Sequence, residues 1–522
     1  MPNYQSPGVY INEIAGMKSI QAVGTSVVAF IGFTKTRPLD CLPGEPRLVT
    51  SWTQYVSEFG DFVDGFYLPL SVYGYFQNGG GLCYVLSLMT SDERAGRISS
   101  RQTAASPRRL NVPAAGENAG GLELQPRVDG AVAVTVEHQP DSEDLFRVTV
   151  RGPEGEEKPY EGLSMAKGKG VRNAVDVINA ESRLIRVREL DTPSTATATE
   201  RRPRAGQYLI DAAIVPAASA QITITQKELQ GDAEAAQRTG LAGLAAVEEV
   251  TIVAMPDLMG ASAEDIAMYQ KELVNHCQLM KDRIAILDAP RGLSPQQVKE
   301  WTKTQLNVNT SYAALYYPWV KVRNPMANGK GEKTILMPPS GLIAGVYARV
   351  DRERGVHKAP ANEELYGALD VERKITTSEQ DTLNPEGINC IRNFPGRGIR
   401  IWGARTLAGG ESEWRYINVR RLFCMLEESI YEGTQWAVFE PNDQMLWARL
   451  RRDIGAFLKR MWLQGALFGA TPEEAYYVKC DLENNPPETR ENGELYIEVG
   501  VAPVKPAEFI IINFKQISGV AQ

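Results

Sequence analysis

Val250-Thr251-Ile252-Val253-Ala254-Met255, Arg283-Ile284-Ala285-Ile286-Leu287-Asp288 and Tyr312-Ala313-Ala314-Leu315-Tyr316-Tyr317 are three short apolar runs. The stretches between them, residues 263–281 and 295–306, read as helices, so the order is strand, helix, strand, helix, strand. That order implies a parallel sheet with helices on its faces. Working towards the amino end, Val27-Val28-Ala29-Phe30-Ile31-Gly32-Phe33 is a run of the kind buried on both faces of a sheet, and Cys83-Tyr84-Val85-Leu86-Ser87-Leu88 is another strand. Residues 67–76 between them read as a helix, broken by Asn78-Gly79-Gly80-Gly81. The sheet is therefore expected to form one α/β core domain from two pieces, residues 21–89 and 240–349.

Residues 90–239 have a different texture. Gly, Pro, Arg and Glu rise, and Ala131-Val132-Ala133-Val134-Thr135-Val136 and Phe146-Arg147-Val148-Thr149-Val150 alternate cleanly, as does Gln221-Ile222-Thr223-Ile224-Thr225. This reads as an inserted, mostly-β domain with one wet face. Residues 350–506 form a third region, with helices expected over 417–432 and 442–467 and a strand over 495–501. The fold class is α/β in its core and α+β overall. At 522 residues the chain is too long for one core.

Composition excludes several function classes. The net charge of −8 argues against nucleic-acid binding by the whole chain, because phosphate recognition needs a basic face. No apolar run approaches the roughly 18–20 residues that span a bilayer, and the amino end lacks the basic and apolar regions of a secretory signal. Folding in the cytosol is the expectation. The six cysteines form no CxxC and sit among apolar or aromatic residues, so they read as reduced, buried thiols. Neither a GxxxxGK[ST] phosphate loop nor a GxSxG elbow is present. His138, His276 and His357 show no paired spacing, so no metal or Ser-His-Asp site and no cofactor is expected. Asp257 and Asp288 stand at strand ends, where α/β enzymes place catalytic groups, but Asp beside Pro is also common turn chemistry.

Two features point to partners. On a helix over 442–467, Leu446, Trp447, Leu450, Ile454, Phe457, Leu458, Met461 and Trp462 fall on one face, with Arg449, Arg452, Lys459 and Arg460 on the other. The bland reading is a core helix with a solvated basic face; the functional one is a stripe that docks on an acidic surface. The terminal run Phe509-Ile510-Ile511-Ile512-Asn513-Phe514 is almost wholly apolar, and as a bare edge it would template aggregation. It has to be covered, by its own core or by another subunit. Composition leaves self-pairing with the amino-terminal strand and exchange between subunits equally open.

The sequence then resembles a known family, the contractile tail sheath proteins. The resemblance is carried by Tyr4-Gln5-Ser6-Pro7-Gly8-Val9-Tyr10-Ile11-Asn12-Glu13, by Gly24-Thr25-Ser26-Val27-Val28-Ala29-Phe30-Ile31-Gly32, and by Leu383-Asn384-Pro385-Glu386-Gly387-Ile388-Asn389. Gly398-Ile399-Arg400-Ile401-Trp402-Gly403-Ala404-Arg405-Thr406, Trp436-Ala437-Val438-Phe439-Glu440-Pro441-Asn442 and Val499-Gly500-Val501-Ala502-Pro503 carry it further. It covers the chain outside the insertion. It implies a non-enzymatic subunit that polymerises helically around an inner tube and contracts to drive that tube through an envelope. It also implies linker arms at residues 1–20 and 507–522 that add strands to the C-terminal sheath domain of neighbouring copies, near residues 495–501. Val9, Tyr10, Ile11 and Ile14 on one arm and Phe509, Ile510, Ile511, Ile512 and Phe514 on the other are the expected exchange residues. Arg449, Arg452, Lys459 and Arg460 are the candidate tube contact.

The implied partners are further copies of the chain in stacked, six-fold rings, the tube protein, and baseplate and terminator or cap proteins. Neither nucleic acid nor direct membrane insertion is implied. Assembly is expected in the cytosol, and the mature particle would be a virion tail or an injection-system particle, released or anchored through its baseplate. The inserted domain is expected on the exterior. A cap or adaptor of the same machine, or an α/β hydrolase, are the alternatives.

Overall fold

The computed structural model describes residues 20–94, 110–115, 121–127, 132–139, 142–152, 155–168, 170–190, 196–210, 224–234, 238–327 and 332–512. The chain divides into two compact units, Met1–Arg94 with Gln221–Gln522, and Ala95–Ala220.

The first unit is organised by one eight-stranded sheet. Its strands in chain order are β1 (Val28–Thr34), β2 (Pro46–Val49), β3 (Cys83–Thr90), β4 (Ile252–Ala254), β5 (Ile284–Asp288), β6 (Ala313–Tyr317), β7 (Ile388–Phe394) and β8 (Gly398–Trp402). They lie side by side as β8-β7-β6-β5-β4-β1-β3-β2. The six inner strands are parallel, and both edge strands pair antiparallel to their neighbours. Every residue of β1, β5 and β6 is buried, and alternate side chains enter two separate cores. Ala29, Ile31, Phe33, Val253, Ala285 and Leu287 face one; Val28, Phe30, Ile252, Ile284 and Ile286 face the other. A run with no polar alternation is what covering on both faces requires.

Five helices of ten residues or more are present among the described residues: α1 (Leu68–Gln77), α2 (Ala263–Met280), α3 (Ser340–Arg354), α4 (Ile417–Thr434) and α5 (Gln444–Leu463). Helix α2 covers one face of the sheet, while α1 and α3 cover the other and touch each other. Close approach there needs small residues. A Cβ on Gly341 would lie 2.4 Å from the Ser71 backbone, and one on Gly345 would lie 2.5 Å from the Tyr75 carbonyl oxygen.

The strand-end carboxylates are structural. Asp257 accepts hydrogen bonds from the Phe33 N–H (2.6 Å) and from the Tyr67 and Leu68 N–H groups that open α1. Asp288 accepts from the Ser340 N–H (2.9 Å) that opens α3. Both acids therefore serve as caps from a distance, filling donors that a helix cannot satisfy internally.

The second unit is mostly β. One sheet joins Leu110–Pro113, Gly121–Pro126 and Ile185–Glu189, and the other joins Val132–His138, Phe146–Gly152, Gly155–Glu156, Tyr160–Leu163 and Gly206–Ile210. Val132, Val134, Val136, Phe146, Val148 and Val150 alternate into a single core that also receives Ala174 and Ile178 from the helix Ala174–Glu181.

Several expectations are corrected. The compact second unit ends before residue 221, not at 239, because Ile224 and Leu229 are buried in the first unit's core. Residues 224 and 225 are not strand; Thr225 caps the short helix Gln226–Gln230. The expected strand over 250–255 is only Ile252–Ala254, and that over 495–501 begins at Glu498. A boundary at residue 350 would cut α3, and β7 and β8 beyond it complete the main sheet. Among the described residues no helix is long and apolar enough to cross a membrane. All six cysteines are buried and unpaired.

Burial raises the Asp288 carboxyl from 3.8 to about 7 and that of Asp257 to about 6, against the backbone bonds that lower both. The folded chain thus holds these protons more tightly than the unfolded one. The stability these two groups contribute is fully present below the ordinary carboxylate range and is lost as pH rises through the raised values. Thermal midpoints are expected to fall between about pH 5 and about pH 8, with Asp288→Asn showing a shallower fall. Differential scanning fluorimetry across that range checks it; an unchanged slope in the variant contradicts it.

Candidate functional site

The candidate site lies where the two chain ends meet the body. Helices α4 and α5 pack through Leu422, Met425, Leu426, Ile454, Phe457, Leu458 and Met461 against a small antiparallel sheet, β9 (Tyr476–Lys479) and β10 (Glu498–Val501). The two strands pair from Tyr476 with Val501 to Lys479 with Glu498. Among the described residues no further strand pairs with either.

The amino-terminal segment is held at its root. Ile20 is buried against α4 and α5, close to Gly433, and its carbonyl accepts from the Arg460 guanidinium. The Val23 N–H donates to Ser429 Oγ at 3.0 Å. The Thr25 hydroxyl donates to Asp351 at 2.6 Å, and the Thr25 carbonyl accepts from Arg421 at 2.7 Å. Arg421 and Asp351 form an ion pair of 2.6 Å with side chains only 4% and 5% exposed, joining α4 to α3. Val9, Tyr10, Ile11 and Ile14 lie outside the described residues.

The carboxyl-terminal segment is held in the same manner. Phe468 donates to the Ala502 carbonyl and Val504 to that of Ala466, while Asn418 donates to the Val504 carbonyl. Glu508 then enters a clamp. Arg405 reaches both of its carboxylate oxygens (Nε 3.0 Å, Nη2 2.8 Å), joined by Asn384 Nδ2 at 2.6 Å and the Tyr416 hydroxyl at 3.2 Å. These donors hold the Glu508 carboxyl below the usual range against the burial that opposes it.

Beyond the clamp the chain is extended and bare. Phe509, Ile510, Ile511 and Ile512 are 73%, 81%, 83% and 69% exposed, so among the described residues nothing covers this apolar run. The run was expected as a strand; in the single chain its described part has no pairing partner and is not one. Phe514 lies outside the described residues.

On α5 the apolar face is buried as the spacing implies, except for Trp462, which is half-buried. The basic residues do not share one environment. Arg449 is exposed and stacks 4.0 Å from the Trp436 ring centroid. Arg452 is exposed beside the Asp453 carboxylate at 3.2 Å, and Lys459 is exposed. Arg460 is half-buried and turned to Ile20, which the face-by-face reading of the helix could not show.

Sequence reasoning missed both clamps. Arg421 and Asp351 are 70 residues apart, and Arg405 and Glu508 are 103 apart, so no local spacing links them. The one available signal was an acid, Glu508, beside an otherwise apolar terminal run. Among the described residues no group of three or more His, Cys, Asp or Glu is placed to hold a metal ion.

Two family models match the chain. The phage tail sheath protein central domain matches residues 231–407, and the phage tail sheath C-terminal domain matches residues 411–517. The chain is 32% identical over 237 residues to the tail sheath protein of Burkholderia phage BcepMu, covering 43% of this chain and 48% of that protein. It is 27% identical over 287 residues to the tail sheath protein of Vibrio phage KVP40, covering 52% of this chain and 41% of that protein. The chain thus spans less than half the length of these two relatives. Solved structures match end to end. A sheath complex of the PVC extracellular contractile injection system in its contracted state is similar with a TM-score of 0.57 and 25% identity, over 99% of both chains. The contracted helical sheath of the anti-feeding prophage is similar with a TM-score of 0.55 and 26% identity, over 98% of this chain and 99% of that one.

Removing Arg421 would strand the buried Asp351 carboxylate. Arg421→Ala is expected to lose roughly 3–5 kcal/mol of unfolding free energy, read by urea denaturation of the soluble subunit. A loss below about 1 kcal/mol, the range of an exposed pair, contradicts a buried pair here.

Proposed function

The chain belongs to the phage tail sheath family, and on that premise we propose that it is the structural subunit of a contractile sheath. It is not an enzyme. Copies polymerise helically around an inner tube, and contraction of the polymer drives the tube through a target envelope. The observation that carries this reading is the bare apolar run at Phe509, Ile510, Ile511 and Ile512, in a chain that also holds a two-stranded sheet, β9 and β10, with no further strand partner among the described residues. A run of that chemistry needs cover, and a sheet with unpaired edges can supply it by taking an extra strand.

In this reading residues 4–14, through Val9, Tyr10, Ile11 and Ile14, and residues 509–517, through Phe509, Ile510, Ile511, Ile512 and Phe514, each join the sheet of a different neighbour, beside β9 and β10. Each added strand contributes about six main-chain hydrogen bonds at roughly 0.5–1.5 kcal/mol net, besides apolar burial. The contacts are heterologous and do not close on themselves, so they build a helical polymer; the resemblance to sheath proteins implies that its layers are six-fold rings. Links of that strength survive a rearrangement that breaks weaker, salt-sensitive contacts.

The weaker contacts are assigned to the exposed residues of α5, Arg449, Arg452 and Lys459, facing an acidic tube surface. Arg460 contributes there only if it leaves Ile20. The polymer is bounded by baseplate and cap proteins, and the mostly-β insertion stands on the exterior, away from the crowded tube side. Subunits assemble in the cytosol into a virion tail or an injection-system particle. No cofactor is required, because the extended polymer is itself the energy store.

Deleting residues 1–14, or everything after Pro506, is expected to leave a folded subunit that no longer polymerises with its tube protein. Negative-stain microscopy of the co-expressed pair reads this directly: wild type gives cogwheel-sectioned tubules, and the truncations give none. Tubules from both truncations would refute strand exchange, and discrete rings from the wild type would favour a cap. Charge reversal at Arg449 and Lys459 is expected to impair assembly of the extended form without changing the thermal midpoint. Assembly of that variant that is normal at every salt concentration would refute the tube contact.

A further inference from the structure

The Glu508 clamp joins the carboxyl-terminal arm to a part of the molecule other than the one beside it. Residues 502–504 lie against the α4–α5 lobe through Phe468, Ala466 and Asn418. Four residues later the contacts change. Arg405, which grips Glu508, is itself locked to the main sheet. Its N–H donates to Asn389 Oδ1 at 2.7 Å, and its carbonyl accepts from Asn389 Nδ2 at 2.7 Å. Asn389 lies in β7, is fully buried, and also donates to the Leu315 carbonyl in β6. Asn384 precedes β7 by four residues, and its carbonyl accepts from Arg405 Nη1 at 3.2 Å. Only Tyr416 comes from the start of α4. The carboxylate therefore ends a continuous polar chain from the arm through Arg405 and Asn389 into the eight-stranded sheet.

Position adds to connectivity. Glu508 is the last described residue with a polar side-chain hold, and the bare run starts at the next residue. A two-pronged Arg–carboxylate contact fixes direction as well as distance. In an extended segment successive side chains alternate, so orienting residue 508 decides which way Phe509 and Ile511 point and which way Ile510 and Ile512 point.

We infer that Glu508, held by Arg405, Asn384 and Tyr416, is the fixed root of the carboxyl-terminal arm, which sets the register of the arm and delivers its tension to the main sheet. This rests on the strand-exchange reading above. Its role is positioning: the hydrogen bonds that hold Glu508 come from its own subunit. Without the clamp the arm is still present and can still pair, but its free length grows back towards Val504, and pull on it is carried by the small α4–α5 lobe.

The test uses the full chain co-expressed with its tube protein, comparing wild type, Glu508→Ala, Arg405→Ala, the swap Glu508→Arg with Arg405→Glu, and the truncation after Pro506. Each soluble subunit is checked for folding by its thermal midpoint, and each contracted sheath is titrated with urea and scored by light scattering and microscopy. Both single variants are expected to polymerise but to dissociate at lower urea than wild type, and the swap to recover resistance. Single-variant sheaths as resistant as wild type overturn the assignment, as does weakening that the swap leaves uncorrected, which would mark a merely local packing role. If Glu508→Ala does not fold, Glu508→Gln, which keeps the shape and loses the ion pair, takes its place. Polymerisation of the truncation would instead refute strand exchange itself, so the two failures are told apart.

Discussion

A sheet that is apolar on both faces must be roofed twice, and two of the helices that roof it, α1 and α3, open their backbone donors in a region without water. That constraint shapes the first unit. Asp257 and Asp288, at the ends of neighbouring strands, accept the leading N–H groups of α1 and α3, so the sheet caps its own cover. The two helices can then meet at Gly341 and Gly345, where any side chain would strike the opposing backbone. Acids in such positions invite a catalytic reading. Here their hydrogen-bond partners are backbone amides, which makes them part of the frame.

The same frame fixes where the chain ends become free. Near the amino end, Ile20, Val23 and Thr25 are tied in turn to α5, α4 and α3. Near the other end, Glu508 is tied to the loop after β8 and, through it, to β7. The polar clamps are buried or nearly so, and the apolar run that follows Glu508 is bare. Ordinary folding puts these chemistries the other way round, with apolar groups inside and ions in water. The inversion fits the proposal that the terminal segment finds its apolar environment in another copy.

The main sheet was legible in the sequence because its strands are continuous apolar runs separated by helices of conventional length. Residues 284–288 and 313–317 are strand almost to the residue. β7 and β8 were harder: Ile388-Asn389-Cys390-Ile391-Arg392 mixes polar with apolar residues without a clear period, and the stretch falls within the expected C-terminal region. The end of the inserted unit was misplaced because Gln221-Ile222-Thr223-Ile224-Thr225 alternates like a strand, whereas Ile224 is drawn into the first unit's core and Thr225 caps a helix. At the candidate site, the apolar terminal run and the two-faced helix α5 were visible as local patterns. The clamps were not, since Arg405 with Glu508 and Arg421 with Asp351 become neighbours only through tertiary folding. Nor can helical periodicity tell Arg460, turned onto Ile20, from Arg449, which lies on Trp436 in the open.

The burial of all six thiols has a practical side. Burial pushes Cys390 and Cys424 up to about 12 and raises Cys41, Cys83, Cys277 and Cys480 as well. At neutral pH almost no thiolate exists to react, and the sulfurs are out of reach of oxidants. The folded subunit is therefore expected to react slowly with maleimides and similar reagents. A single cysteine placed on its surface would be the main site that takes a fluorophore, making the native chain a ready background for measuring distances between subunits of the proposed sheath.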